Sequence, residues 1–143
     1  EIQLDALPKM AFFIPLIAAM GGNVGVQSSA IIVQGLAGGA DMGSLISRLL
    51  KELSVALLNG FICATAVVGA GLLLSYEAHL CLTVAVSLIS VIIVAALIGT
   101  FVPLLLNKYK IDPALATGPF ITTMNDILGL FIYFSLGRLL LGI

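Results

Sequence analysis

Residues 10–40 read MAFFIPLIAAMGGNVGVQSSAIIVQGLAGGA and contain no charged side chain. At 1.5 Å per residue one straight helix of this length would run about 46 Å, well beyond a hydrocarbon core of about 30 Å. The run therefore predicts a membrane span that tilts or bends, with Pro15 and Gly21-Gly22 as the available bending points. Its centre, MGGNVGVQSS at 20–29, places three glycines, Asn23, Gln27 and two serines where an apolar helix would need none of them.

The rest of the chain repeats the pattern. Uncharged runs extend from Leu53 to Tyr76 and from Leu80 to Asn107, and Pro113 to Gly137 holds a single charge, Asp126. Each is long enough for the roughly 20 residues a spanning helix needs. Composition agrees: 61% hydrophobic and 9% charged residues with a mean hydropathy of +1.24, far from the balance of a soluble domain. The expected fold is all-α, a polytopic bundle of four spanning helices at about 5–38, 46–75, 79–107 and 113–141. Alternating ten-residue strands, the mark of a membrane barrel, are missing. The net charge of −1 gives no footprint for nucleic acid. Cys63, Cys81 and the lone His79 form no zinc pattern and read as buried thiols and a turn residue. No nucleophile–base pair or catalytic metal set is visible, which argues against an enzyme.

Short connections make neighbouring helices antiparallel. Gly38-Gly39-Ala40-Asp41 closes the first span, residues 75–79 turn between the second and third, and residues 107–113 separate the third from the fourth. Asp112-Pro113 reads as a helix start, with Asp112 as cap. Arg48 and Lys51 fall at one loop and Lys108 and Lys110 at another on the same side, which the positive-inside rule places in the cytoplasm. Both ends of the chain then lie outside, and a cytoplasmic start would need one more helix upstream. The chain opens on Glu1 with no basic leader, so the first span is not a signal peptide and the sequence is expected to begin within a longer protein. The expected location is the inner cell membrane, crossed several times.

Asp126 is the sharpest single feature. A charge near the centre of a span costs about 2.5–3.5 kcal/mol on insertion scales, and such residues usually line an ion or proton path. A carboxyl hydrogen-bonded to a neighbouring helix for packing is the plainer alternative. In GPFITTMNDILG (118–129), Thr122, Thr123 and Gly129 lie three or four residues from Asp126, with Pro119 seven before it, all on one helical face. A proline within a helix frees a carbonyl, and a free carbonyl in a wet cavity is a cation ligand. Gly118, Pro119, Thr123, Asn125 and Gln27 are the expected pore-lining residues. Gly21, Gly22 and Gly25 permit close helix approach, and Asn23 and Gln27 serve either as interhelical glue or as a wet lining. Carboxylate, carbonyl, hydroxyl and amide oxygens suit a hard cation rather than a soft metal. Magnesium parts reluctantly with its water, so a wide site with one carboxylate per chain fits it, and two chains about a two-fold axis would supply the second.

These residues resemble those of the MgtE family of magnesium channels. IPLI (14–17), MGGNVG (20–25) and QS (27–28) are similar to that family's second transmembrane helix. KEL (51–53) with LLNG (57–60) resembles the start of its third, and DPALA (112–116), PFITT (119–123) and DILGL (126–130) resemble its fifth. The resemblance implies a homodimer in the lipid bilayer, with a pore lined by the first and last helices of this chain. It implies that Asp126 holds hydrated Mg2+ at a central site, with Thr122, Gly22 and Asn23 beside it and Asp112 at the cytoplasmic mouth; Mn2+, Co2+ and Ca2+ are further candidate ions. It also implies that the family's first helix and its cytoplasmic N-terminal and CBS domains lie outside this sequence. Two other functions compete. A secondary transporter could use Asp126 as a proton- or sodium-coupled carboxylate, and a membrane scaffold could use the polar residues only as glue.

Overall fold

The computed structural model describes residues 2–39 and 43–142, with side chains described from residue 8 onward. Those residues form four long helices, α1 (Ile2–Ala37), α2 (Leu45–Leu73), α3 (Ala78–Lys108) and α4 (Pro119–Leu141), with a short 3-10 turn at Pro113–Ala116 before α4. Four segments are long and apolar enough to cross a membrane, the last running from Pro113 to Leu141. No strand occurs among the described residues. Gly38 and Gly39 end α1 as expected, while Ala40 and Asp41 lie outside the described residues.

Helix α1 continues past Pro8, Pro15 and the Gly21-Gly22 pair, so its 36 residues form one helix about 54 Å long, as a tilted span would. One detail differs from the sequence reading: the expected helix over 113–141 is broken. Asp112 Oδ1 accepts from Ala114 N at 2.9 Å, and Pro113 opens the 3-10 turn. Thr117 is then extended and Gly118 adopts φ +55° before α4 begins at Pro119. The cause is local. A residue before proline is pushed out of the helical region, and glycine adopts the left-handed φ without a Cβ clash. Pro119 is thus the first residue of α4, where its missing N–H costs nothing, and not an internal kink that frees a carbonyl.

Named contacts fix the directions. Lys9 Nζ meets Glu77 Oε1 at 2.7 Å, while Gly25 lies against Gly99, so α1 and α3 run parallel. Tyr133 Oη donates to the Met10 carbonyl at 2.9 Å, and the Ser29 hydroxyl donates to the Ala116 carbonyl, so α4 runs antiparallel to α1. Gly71 against Cys81 and Gly60 against Ile89 set α2 antiparallel to α3. The Lys9 ammonium holds the exposed Glu77 carboxyl below its ordinary value. This tie is intact at neutral pH and is released only as acid protonates Glu77.

Helix α3 is the hub and packs on the other three. Its buried row includes Val84, Leu88, Val91, Ile92, Ala95 and Ala96. Two of its buried hydroxyls turn back onto its own backbone, Thr83 to the His79 carbonyl at 2.9 Å and Ser87 to the Thr83 carbonyl at 2.7 Å. That local bonding is how a hydroxyl is satisfied where there is no water. Helix α2 rests mainly on α3 and turns Val55, Leu58, Phe61 and Ile62 outward, as a lipid-facing helix would.

The inner contacts depend on missing side chains. A Cβ on Gly99 would collide with the Gly25 carbonyl, and one on Gly21 would come within 2.9 Å of Val91 Cγ1. At Gly60 the nearest neighbour, Ile89 Cα, is 3.4 Å away. Gly99→Ala is therefore expected to lose about 1–3 kcal/mol, read as a lowered melting temperature of the detergent-solubilised protein. Gly60→Ala should melt within a few degrees of the unmodified chain. Equal melting of Gly99→Ala and the parent would overturn this packing.

Candidate cation site between the first and last helices

Intramembrane carboxylates cost insertion energy unless the bundle gives them a polar or wet setting. Asp126 is the one acid of α4. Its position follows from the break at Gly118. The Thr122 amide and hydroxyl both donate to the Gly118 carbonyl, at 3.0 and 3.1 Å, which fastens the first turn of α4. One turn later Asp126 reaches α1 at Gly22. A Cβ on Gly22 would lie 3.4 Å from Thr122 Cγ2 and 3.6 Å from Asp126 Oδ1. Because Gly22 has none, backbone of α1 faces the carboxylate directly. Asp126 and Thr122 are half-buried, and Thr123 and Pro119 beside them are exposed or partly so. The structure therefore sets the buried backbone of Gly22 against half-buried Thr122 and Asp126, with Thr123, Gly118 and Pro119 along the same end of α4.

Asn125 is elsewhere. Adjacent helical residues point about 100° apart. Asn125 accordingly turns inward, is 2% exposed, and occupies the space where a Cβ of Gly25 would stand. It does not line an open face of this chain. Neither its Oδ1 nor its Nδ2 has a hydrogen-bond partner among the described residues, and Thr100 Oγ1 of α3 shares that condition. A buried polar group left so costs about 1–3 kcal/mol.

Asn23 and Gln27 are exposed and belong to another groove. With Met20, Val26 and Ala30 they line a groove that also holds Asn59 of α2. A neighbouring cavity of about 140 Å3 is lined by Gln27, Ser28, Glu52 and Asn59. Ser28 of α1 and Glu52 of α2 meet across this cavity, with Arg48 one turn before Glu52. The polar stripe of α1 is thus divided between α4 and α2. Asp112 lies further along, exposed in the loop before the 3-10 turn and committed to capping Ala114.

Sequence reasoning passes over Ser29, Asn59 and Gly99 as partners. Ser29 bonds Ala116 and so pins α1 to the segment that launches α4. A serine or asparagine on an apolar helix is the available signal, but which helix it meets depends on tertiary packing. No group of three or more His, Cys, Asp or Glu side chains that could hold a metal occurs among the described residues. Chemically, one chain offers a single carboxylate with backbone and hydroxyl oxygens nearby. That set can attract a hydrated cation, but it is too sparse to strip one.

Comparison with known proteins adds the family. A model of the MgtE divalent cation transporters matches residues 14–136. The chain is 37% identical over 137 residues to the magnesium transporter MgtE of Bacillus subtilis, covering 95% of this chain and 30% of that protein. It is 37% identical over 144 residues to the magnesium transporter MgtE of Thermus thermophilus, covering 99% and 31%. Against the magnesium transporter MgtE of Enterococcus faecalis the identity is 34% over 131 residues, covering 91% and 29%. The chain thus spans just under a third of the length of these relatives. The family match runs from within α1 almost to the end of α4 and takes in Gly22, Thr122 and Asp126. By that extent of likeness, this membrane-spanning chain belongs to the MgtE family of divalent cation transporters.

Proposed function

We propose that residues 1–143 form a single pore domain through which Mg2+ crosses the membrane, as a homodimer with α1 and α4 of each chain about the two-fold axis. The observation that carries this is Asp126, a half-buried intramembrane acid set against the bare backbone of Gly22. The relatives named above are magnesium transporters, which supports Mg2+ as the cargo. One carboxylate per chain is sparse for a divalent ion, and a symmetric partner doubles it. Mg2+ holds its water tightly. Carboxylates spaced for the hydrated ion would grip its shell through hydrogen bonds, with Thr122 and Gly22 shaping the wall. Arg48, Lys51, Lys108 and Lys110 would face the cytoplasm of the cell, in its inner membrane. Asp112 at that end would add negative charge to the mouth.

The test is Mg2+ uptake into liposomes holding this chain, with membrane potential and pH gradient set independently. Flux should follow the electrochemical gradient of Mg2+ alone, and Asp126→Asn should lower it at least tenfold. Flux that requires a proton or sodium gradient would replace the channel with a coupled transporter. Unchanged flux in a folded Asp126→Asn dimer would remove Asp126 from the path.

A milder variant probes the wall. The contacts at Gly22 leave room for one methyl group, so Gly22→Ala should fold. It should nonetheless raise the Mg2+ concentration for half-maximal flux several-fold, because the methyl covers backbone beside the carboxylate. Asp112→Asn keeps a capping side chain. Its flux should fall a few-fold at low ionic strength and match the parent at high salt, where surface charge is screened.

A further inference from the structure

Asp126 cannot choose its own direction, because α4 could turn about its axis and carry the carboxylate into lipid or into the bundle. Something must fix that rotation. The next residue back supplies it. Asn125 fills the space left by the absent Cβ of Gly25, and Ile121, one turn earlier, is fully buried with its Cγ2 at 3.0 Å from the same point. On the other side of Gly25, its carbonyl lies against Gly99, where α3 also has no side chain. Asn125 is therefore wedged against a backbone that cannot recede, and Gly129 sits against Val91 of α3 one turn later. A turn of α4 by one residue would drive a neighbouring side chain into this slot.

We infer that Asn125 is a positioning residue: locked against Gly25, it sets the rotation of α4 that presents Asp126 and Thr122 to Gly22, and through that rotation it sets the ion preference of the pore. The inference rests on the function proposed above. Asn125 is buried against Gly25 and acts through its neighbour Asp126. Shape explains the residue pair. Gly25 accepts the planar amide of Asn125 where its own Cβ would stand.

The pair makes a reciprocal test, with Asp126→Asn as reference. Asn125→Ala, Gly25→Ala and the double variant are compared in liposomes for flux per folded dimer, half-saturating Mg2+ and the Mg2+/Ca2+ flux ratio. Asn125→Ala should raise half-saturating Mg2+ about tenfold and reduce the Mg2+/Ca2+ ratio while the folded fraction is kept. Gly25→Ala, which collides with Asn125, should shift half-saturation and ion ratio in the same directions in the dimer that folds. In the double variant the alanine at 125 vacates the slot that the new methyl at 25 fills, so half-saturation and ion ratio should return most of the way to the parent. Variants that change only the yield of folded dimer, with half-saturation and ion ratio constant, would show Asn125 to be packing alone and overturn the inference. A double variant no better than the poorer single one would overturn it as well. Parent-like flux in Asp126→Asn would instead remove the pore reading on which the inference rests, and the two failures are distinct.

Discussion

The contact between Gly25 and its two neighbours, Asn125 of α4 and Gly99 of α3, holds the rest in place. In water, burial of apolar surface would draw these helices together. In a bilayer the lipid tails are as apolar as leucine, and helices associate through close packing and interhelical hydrogen bonds instead. Glycine on two facing helices lets backbones approach until dispersion and weak polar contacts add up. Gly21, Gly25, Gly99 and Gly129 do this along α1, α3 and α4, with Val91 filling the seam between them. Hydrogen bonds close the arrangement at both ends, Tyr133 to Met10 toward one and Ser29 to Ala116 toward the other. The nominal weakness of a glycine-rich helix is thus what allows α1 to be held closely by both α3 and α4.

That close packing explains why the polar residues of α1 do not act as one group. A helix contacting three neighbours distributes its side chains by angle. Gly22 faces α4, Gly21 and Gly25 face the seam with α3, and Asn23 and Gln27 face the groove beside α2. Helix α2 rests chiefly on α3 and meets α1 at the small cavity between Ser28 and Glu52. Ser29 is accounted for by its bond to Ala116. The bare backbone at Gly22 and the carboxylate it faces are what packing leaves over.

The fold is legible because membrane spans are written in charge-free length, and the four spans stand where uncharged runs predict them. Asp126 is legible for the same reason, as the exception in such a run. What sequence periodicity does not supply is angle and register. Asn125 shares its segment with Asp126 and reads as lining the same pore, yet one residue of rotation buries it at 2% exposure. Pro119 reads as a kink inside a helix because proline often kinks one. The glycine before it permits a change of chain direction, and the proline becomes a helix start. Both differences arise where two readings of one residue type are locally plausible and the surrounding structure decides.

The break at Gly118 also bears on how a single carboxylate could serve a strongly hydrated ion. Had the helix continued unbroken from Pro113, α4 would enter along the line of the 3-10 turn. With Gly118 at φ +55°, α4 takes a new direction, and the Gly118 carbonyl gathers both the amide and hydroxyl of Thr122. The Thr122 hydroxyl is thereby turned toward its own helix, and its methyl lies toward Gly22. Such a wall offers few direct ligands. It would compete poorly for a bare cation against a dense cage of carboxylates, and comparatively well for an ion that arrives with its water and keeps it. In the proposed dimer, discrimination would then follow from the spacing between two Asp126 carboxylates and the hydration shell between them. Spacing of that kind is a property of how α4 is turned and where it starts, which returns the selectivity of the pore to the packing of glycine against asparagine behind it.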